Sequence, residues 1–244
     1  NSDKCTLILT EGDSAKATAK AGISVIENGN NLFGIFPLRG KLLNTRGMKD
    51  KDICTNAEIA HIKEILALEE GKEYKDTSSL RYGRIMIMTD QDLDGSHIKG
   101  LVINFLCRWP SLMKIKGFIT SLLTPIVKVI KGKTQNSFYT LQDFEKWVLQ
   151  NNRSGWTINY YKGLGTSTPK EGKEYFRDFK QVIYQWDDKS EESMDMAFNK
   201  KRTDDRKGWL DNYDDAIVLD IKQSSVSFTD FINYDLIHYS NSDN

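Results

Sequence analysis

Asp90-Gln91-Asp92-Leu93-Asp94-Gly95 sets three carboxylates at every second position, directly after an apolar run at residues 84–89. Crowded carboxylates repel one another and raise each other's pKa, so a hard divalent cation is their natural compensator. An all-oxygen donor set points to Mg²⁺ or Mn²⁺, and no Cys/His set exists for zinc. Glu11 ends a second apolar run, residues 5–10. If the two runs are adjacent parallel strands, both acid groups emerge at the carboxyl edge of one sheet, where open α/β sheets hold ligands. The same D-x-D-x-D-G pattern also opens an EF-hand loop. Here the twelfth position is Leu101 instead of a bidentate glutamate, and the preceding flank is β-rich. A single D-x-D is more often a solvated turn; the third aspartate and Glu11 tip the balance toward a site.

Two other segments only approximate phosphate loops. Residues 34–42 resemble a Walker loop but carry five residues between Gly34 and Gly40 and place Leu42 after Lys41. Gly163-Leu164-Gly165 lacks the third glycine of a dinucleotide turn. Both still offer backbone amides and cations. Residues 39–51 carry Arg39, Lys41, Arg46, Lys49 and Lys51 against Asp50 alone, a local charge of +4. With Lys162 and a helix start at Thr168, they could hold phosphates beside a metal, although a solvated basic face is an equal reading of the charge.

The elements that must position these groups follow from periodicity. Strands are expected at residues 5–10, 32–36 (closed by Pro37) and 84–89, and helices at 14–28, after a Thr55-x-x-Glu58 capping box, and after Ser96. Strands alternating with helices predict an α/β fold, a parallel sheet with helices on both faces. From about residue 121 the texture changes to α+β. Strands are expected at 122–130, 137–141 and 156–161, and Thr168-Pro169-x-Glu171 should start a helix. Residues 187–220, with eleven acids against six bases, read in part as a loosely packed solvated connector.

Composition bounds the rest. The chain has 244 residues, 39% hydrophobic and 28% charged, with 34 basic and 34 acidic side chains, so any nucleic-acid surface must be local. Cys5, Cys54 and Cys107 form no C-x-x-C pair; Cys5 and Cys107 sit in apolar runs, and the expectation is buried free thiols in a reducing compartment. No apolar run is long enough for a membrane span. The opening Asn1-Ser2-Asp3-Lys4 reads as the start of a piece of a longer protein.

Glu11-Gly-Asp-Ser-Ala15, Pro37-Leu-Arg-Gly-Lys-Leu-Leu-Asn44, Thr89-Asp-Gln-Asp-Leu-Asp-Gly-Ser-His-Ile-Lys-Gly100, Tyr161-Lys-Gly-Leu-Gly-Thr-Ser167 and Asp205-Arg-Lys-Gly-Trp-Leu210 together resemble eukaryotic type IIA DNA topoisomerases over essentially the whole chain. The acidic motifs are shared with other Toprim proteins, including primases and some nucleases; the second and fourth segments are more particular. Leu93 and Gly208 depart from the residues common there. The resemblance implies a Toprim fold at 4–130, a topoisomerase-specific extension at 131–215, and at 216–244 a linker with the start of a winged-helix domain.

It also implies roles. Glu11, Asp90 and Asp92 would hold Mg²⁺ (Mn²⁺ substituting), with Asp94 supporting them as a fourth catalytic carboxylate. Lys41, Asn44, Arg206 and Lys207 match positions that touch double-stranded DNA, and Gly12, Asp13 and Arg39 line an inhibitor pocket. The nucleophilic tyrosine would come from the winged-helix domain of the partner subunit of a homodimer. ATP would bind only in an ATPase domain outside this chain, and the parent enzyme, an ATP-hydrolysing topoisomerase, would be nuclear. Arg81-Tyr82, the one Arg-Tyr pair, reads as structural. An autonomous Toprim nuclease or primase-like domain and a non-enzymatic DNA-binding module remain the alternatives.

Overall fold

The computed structural model describes residues 2–243; Asn1 and Asn244, the latter closing the expected 216–244 segment, lie outside them. The first half runs β1 Thr6–Glu11, α1 Gly12–Ile23, α2 Gly29–Leu32, β2 Phe33–Leu38, α3 Asp50–Cys54, α4 Ala57–Leu66, β3 Arg84–Met88, α5 Leu93–Leu106, α6 Pro110–Met113 and β4 Ile119–Leu122. The second runs β5 Val127–Lys131, β6 Thr134–Phe138, α7 Leu141–Gln150, β7 Thr157–Tyr160, α8 Pro169–Asp178, β8 Gln181–Gln185, α9 Ser190–Phe198, α10 Thr203–Leu210, β9 Val226–Ser227, α11 Phe228–Phe231, a π-helical turn Ile232–Leu236 and α12 Ile237–Ser242.

The main sheet has the order β2-β1-β3-β4-β8-β9. Its first four strands are parallel and β8 pairs antiparallel with β4. Successive strand residues point to opposite faces, and both faces are apolar. Leu7, Leu9, Ile85 and Ile87 pack with Ile59, Ile62, Ile98, Leu101 and Phe105 of α4 and α5. Ile8, Met86 and Met88 pack on the other side with Ala15, Ala19, Tyr175 and Phe176 of α1 and α8. The expected two-faced α/β layering is therefore present. The helices α1 and α8 approach closely because two glycines face the contact. A Cβ on Gly22 would overlap the Phe176 ring, and one on Gly172 would stand 2.7 Å from the Thr18 carbonyl oxygen. A separate antiparallel sheet, β6-β5-β7, packs Val127 and Val129 against Phe144 of α7.

Several element bounds differ from expectation, each for a local reason. The helix expected to reach residue 28 ends at Ile23, where Ser24 turns back onto the Ala21 and Gly22 carbonyls. Pro37 lies inside β2 instead of closing it; β2 is an edge strand, where proline costs no ladder bond. Asn56, not Thr55, caps α4 through the Ile59 N–H, and Glu58 accepts instead from the Arg39 N–H at 2.6 Å. Asp92, not Ser96, caps α5. The expected strand 122–130 is two strands in different sheets, split around Thr124-Pro125, where proline keeps its predecessor extended and aims the chain away. The second sheet thus begins at Val127, ahead of the expected 130/131 boundary. The expected strand 137–141 is shifted back, and Thr140 caps α7. Residues 187–220 hold two helices, and Arg202 ties them by pairing with Glu192, Asp195 and Asp205. Thr168 and Glu171 form the expected capping box.

Candidate functional site

The parallel pairing of β1 with β3 sets Thr10 beside Met88, so Glu11 and Asp90 leave the sheet at the same edge. The Asp90 N–H donates to Glu11 Oε2 at 3.0 Å. Asp90 Oδ1 in turn accepts the Leu164 N–H at 2.6 Å. That contact depends on Gly163, because a Cβ there would stand 2.7 Å from the Asp90 carboxyl carbon. Leu164 is itself buried against α1, and its carbonyl accepts the Thr18 hydroxyl at 3.4 Å. The Gly163-Leu164-Gly165 segment therefore belongs to the acidic site and reaches it through a backbone amide.

α5 starts at the same edge. Asp92 Oδ1 caps it by accepting the Gly95 N–H at 2.7 Å. Gly95 is needed for close approach, since a Cβ there would lie 3.0 Å from the Asp90 carbonyl carbon. Asp94 projects outward and pairs with Lys41 Nζ at 2.7 Å. Lys41 also donates to the Tyr239 hydroxyl at 3.3 Å and sits 4.7 Å from the centre of its ring. Tyr239 stacks on His97 with ring centroids 3.9 Å apart.

Electrostatics separates these acids. Burial, then the neighbouring Asp90, Asp92 and Asp94 charges, raise the Glu11 carboxyl above the usual glutamate range, although the Asp90 N–H opposes them. Asp90 is raised by burial and by Asp92, against the Leu164 N–H. Asp94 is lowered by its hydrogen bond and charge pairing with Lys41. His97 is pushed down to about 4, first by burial and then by the Lys41 charge.

The donor set suits a hard cation: all donors are carboxylate oxygens, and the two most shielded, Glu11 and Asp90, are penalised for being charged without one. Among the described residues, no group of three His, Cys, Asp or Glu side chains is already arranged to hold an ion. Asp92 accepts from the Gly95 amide and Asp94 pairs with Lys41.

The other expected site residues fall into two groups. Lys41, Lys207, Asp13 and Arg39 are exposed, and Gly12 leaves β1 at φ +74° with open space where a Cβ would be. Asn44 and Arg206 are partly buried and engaged within the protein. Asn44 donates to the Phe198 carbonyl and accepts from Arg46 N–H and Asn104. Arg206 donates to the Met196 and Asn199 carbonyls. Tyr82 covers Gly34, a β2 residue paired with Leu7 near the opposite end of the sheet from Asp90. Sequence reasoning missed Tyr239, His97, and the pair Lys99–Asp235. The available signal for the last was a lysine inside the apolar face of α5.

A Toprim domain model matches residues 6–122, and a model described as the C-terminal associated domain of TOPRIM matches residues 122–244. DNA topoisomerase 2 of Plasmodium falciparum is 50% identical over 247 residues, covering 99% of this chain and 18% of that protein. DNA topoisomerase 2 of Pisum sativum is 49% identical over all of this chain and 17% of its own length. DNA topoisomerase 2-alpha of Mus musculus is 48% identical, again over all of this chain and 17% of its own length. The crystal structure of the Plasmodium falciparum topoisomerase II DNA-binding, cleavage and re-ligation domain superimposes with a TM-score of 0.94 at 49% identity, covering 99% of this chain and 34% of that one. The chain thus spans less than a fifth of the length of these curated relatives.

Proposed function

Because the chain belongs to the Toprim family and carries that family's C-terminal associated domain, we propose that it is the Mg²⁺-holding half of a type II DNA topoisomerase cleavage–religation site. The parent enzyme would change DNA topology by passing one duplex through a transient double-strand break. One observation carries the reading most: Glu11 and Asp90 meet at adjacent parallel strand ends, joined by an N–H and both raised in pKa. When bound, the cation supplies charge neutralisation at the scissile phosphate and the leaving 3′ oxygen.

The chain's own residues do the remainder. Glu11, Asp90 and Asp92 hold the cation, with Asp94 in support, and Glu11 can pass a proton to or from the 3′ oxygen. Lys41 and Lys207, both exposed and held only by surface ion pairs, reach phosphates of double-stranded DNA. Asn44 and Arg206 serve the same surface by fixing the residue 39–51 loop and the α9–α10 junction beneath it. Gly12, Asp13 and Arg39 form the rim into which intercalating inhibitors fit. The nucleophile is a tyrosine of the partner subunit's winged-helix domain, the parent protein is a nuclear homodimer, and ATP binds elsewhere in it. No helix among the described residues is long and apolar enough to cross a membrane.

The test joins this chain to its winged-helix segment and measures covalent 5′-phosphotyrosine linkage to DNA. Asp90→Ala should abolish the linkage and Asp94→Ala should leave a fraction of it. The chain alone should neither relax nor nick supercoiled DNA with Mg²⁺, since alignment of the nucleophile supplies much of the rate. Mg²⁺-dependent nicking by the chain alone, lost in Glu11→Ala, would instead establish an autonomous nuclease.

A further inference from the structure

The acidic loop is held from behind by a group outside every motif that forms it. Asp235 lies in the π-helical turn Ile232–Leu236, and such turns occur mostly as single insertions, frequently near functional sites. Its Oδ2 accepts Lys99 Nζ at 2.9 Å and its Oδ1 accepts the Ser96 hydroxyl. Ser96 donates its N–H to the Asp92 carbonyl at 3.1 Å; its hydroxyl oxygen lies 3.2 Å from the same carbonyl, but its one hydrogen goes to the Asp235 carboxylate. Ser96 therefore links the two: its hydroxyl is held by the Asp235 carboxylate and its N–H by the main chain of Asp92.

Packing makes this path stiff. Gly100 admits the turn so closely that a Cβ there would stand 2.9 Å from Phe198 and 3.1 Å from Leu236. Ile232 and Leu236 are buried, and the Lys99 ammonium lies 5.7 Å from the Phe231 ring centre. The Lys99 side chain is only 10% exposed and that of Asp235 18%. Burial pulls the Lys99 ammonium down, but the Asp235 charge outweighs it and holds the ammonium above its usual range. A cavity of about 550 Å³ borders the same residues, with Asp92, Ser96, Lys99 and Asp235 on its wall, so solvent reaches one side of the path. An ion pair in such a place adds little stability over well-packed apolar residues of the same volume. What apolar residues could not reproduce is the acceptor for Ser96.

We infer that Asp235 is a positioning residue for the cation site: through Ser96 and Lys99 it fixes the first turn of α5, and with it the setting from which the Asp92 carboxylate reaches the cation. The inference rests on the reading of Glu11, Asp90 and Asp92 as cation ligands. Partners one step removed from a metal typically change its affinity by 10–100-fold.

The experiment measures Mn²⁺ binding to the chain by electron paramagnetic resonance, and amide hydrogen exchange at Gly95 and Ser96 without metal. Asp235→Asn should weaken Mn²⁺ by about tenfold and speed exchange at both amides; Asp235→Glu should restore part of each. Ser96→Ala, which keeps the ion pair, should weaken Mn²⁺ at nearly unchanged Tm. The double variant Lys99→Met/Asp235→Leu, which leaves no orphan charge, should regain Tm without regaining Mn²⁺ affinity. Wild-type affinity in both Ser96→Ala and the double variant would overturn the inference and leave Asp235 a folding residue only. Mn²⁺ binding that survives Asp90→Ala would overturn the cation-site reading, and the inference with it.

Discussion

Gly163→Ala should separate the integrity of the fold from the integrity of the site. The backbone at Gly163 is extended, with φ 179°, so alanine meets no conformational strain there. Its methyl would stand 2.7 Å from the Asp90 carboxyl carbon, whereas ordinary contact begins near 3.4 Å. Asp90 Oδ2 lies closer still, so relief takes a displacement of about 1 Å, shared between a rotatable carboxylate and the half-buried Gly163 backbone. Yielding by a side chain keeps the stability cost near the lower end of overpacking, about 1 kcal/mol. The same displacement also breaks the 2.6 Å bond from the Leu164 N–H to Asp90. A misplacement of about 1 Å can cost about 100-fold in reactions that depend on alignment. Gly163→Ala should therefore keep its thermal transition nearly intact while Mn²⁺ affinity, and cleavage once the winged helix is joined, fall about 10–100-fold. Gly95→Ala is the contrast: its methyl meets Asp90 backbone, which cannot rotate away, so Tm should drop markedly. Paired calorimetric titrations and thermal melts read both. A Gly163→Ala protein with Mn²⁺ affinity within twofold of wild type would refute the placement of this segment in the site.

Thiol titration should find Cys54 reactive in the native chain and Cys107 reactive only after unfolding, because burial pushes the Cys107 thiol up to about 12; fast native labelling of both would contradict the packing of α5. Stability should fall in acid partly through Glu171. Burial raises its carboxyl, but hydrogen bonds from Tyr161 and Thr168 and the Lys128 charge outweigh that and hold it below its usual value. A depressed folded pKa gives stability that is present above the unfolded value near 4.3 and lost as pH falls through the folded one, so Glu171→Gln should flatten the acid limb of a Tm–pH profile. Duplex binding should fall steeply with salt, and Lys41→Ala should weaken it about equally for unrelated sequences; a salt-independent affinity would exclude a phosphate-reading surface.

The site was legible where chemistry and strand ends coincide. Glu11 and the Asp90–Asp94 run could be placed together because two apolar runs ending in acids predict one parallel edge, and β1 and β3 are indeed neighbours. Cap identities were less legible. Thr55 and Asn56 both suit a helix start, as do Asp92 and Ser96, and the choice was decided by tertiary demands: the Arg39 N–H claims Glu58, and Asp235 claims the Ser96 hydroxyl. The acidic stretch after residue 187 looked solvated by composition, yet one arginine, Arg202, collects Glu192, Asp195 and Asp205 into a helix junction that no local count reveals. The tie between Asp235 and Ser96 spans 139 residues, and periodicity carries no information at that range.

On the cation-site reading, the arrangement also explains how such a concentration of carboxylates persists before a cation arrives. Each acid has a different temporary partner: the Asp90 N–H for Glu11, the Leu164 N–H for Asp90, the Gly95 N–H for Asp92 and the Lys41 ammonium for Asp94. Three of these are backbone amides, which cannot leave but can share an oxygen with a metal, since a carboxylate has further lone pairs. The fourth is a mobile charge. Both members of the Lys41–Asp94 pair are more than a third exposed, so the pair is worth at most about 1 kcal/mol and is easily exchanged. A cation at the acids and a phosphate at Lys41 together satisfy both partners that the separation exposes. Either alone leaves one charge facing like neighbours. On the cation-site reading, metal and DNA should therefore bind more tightly together than apart, with Lys41 and Asp94 as the contact through which each favours the other.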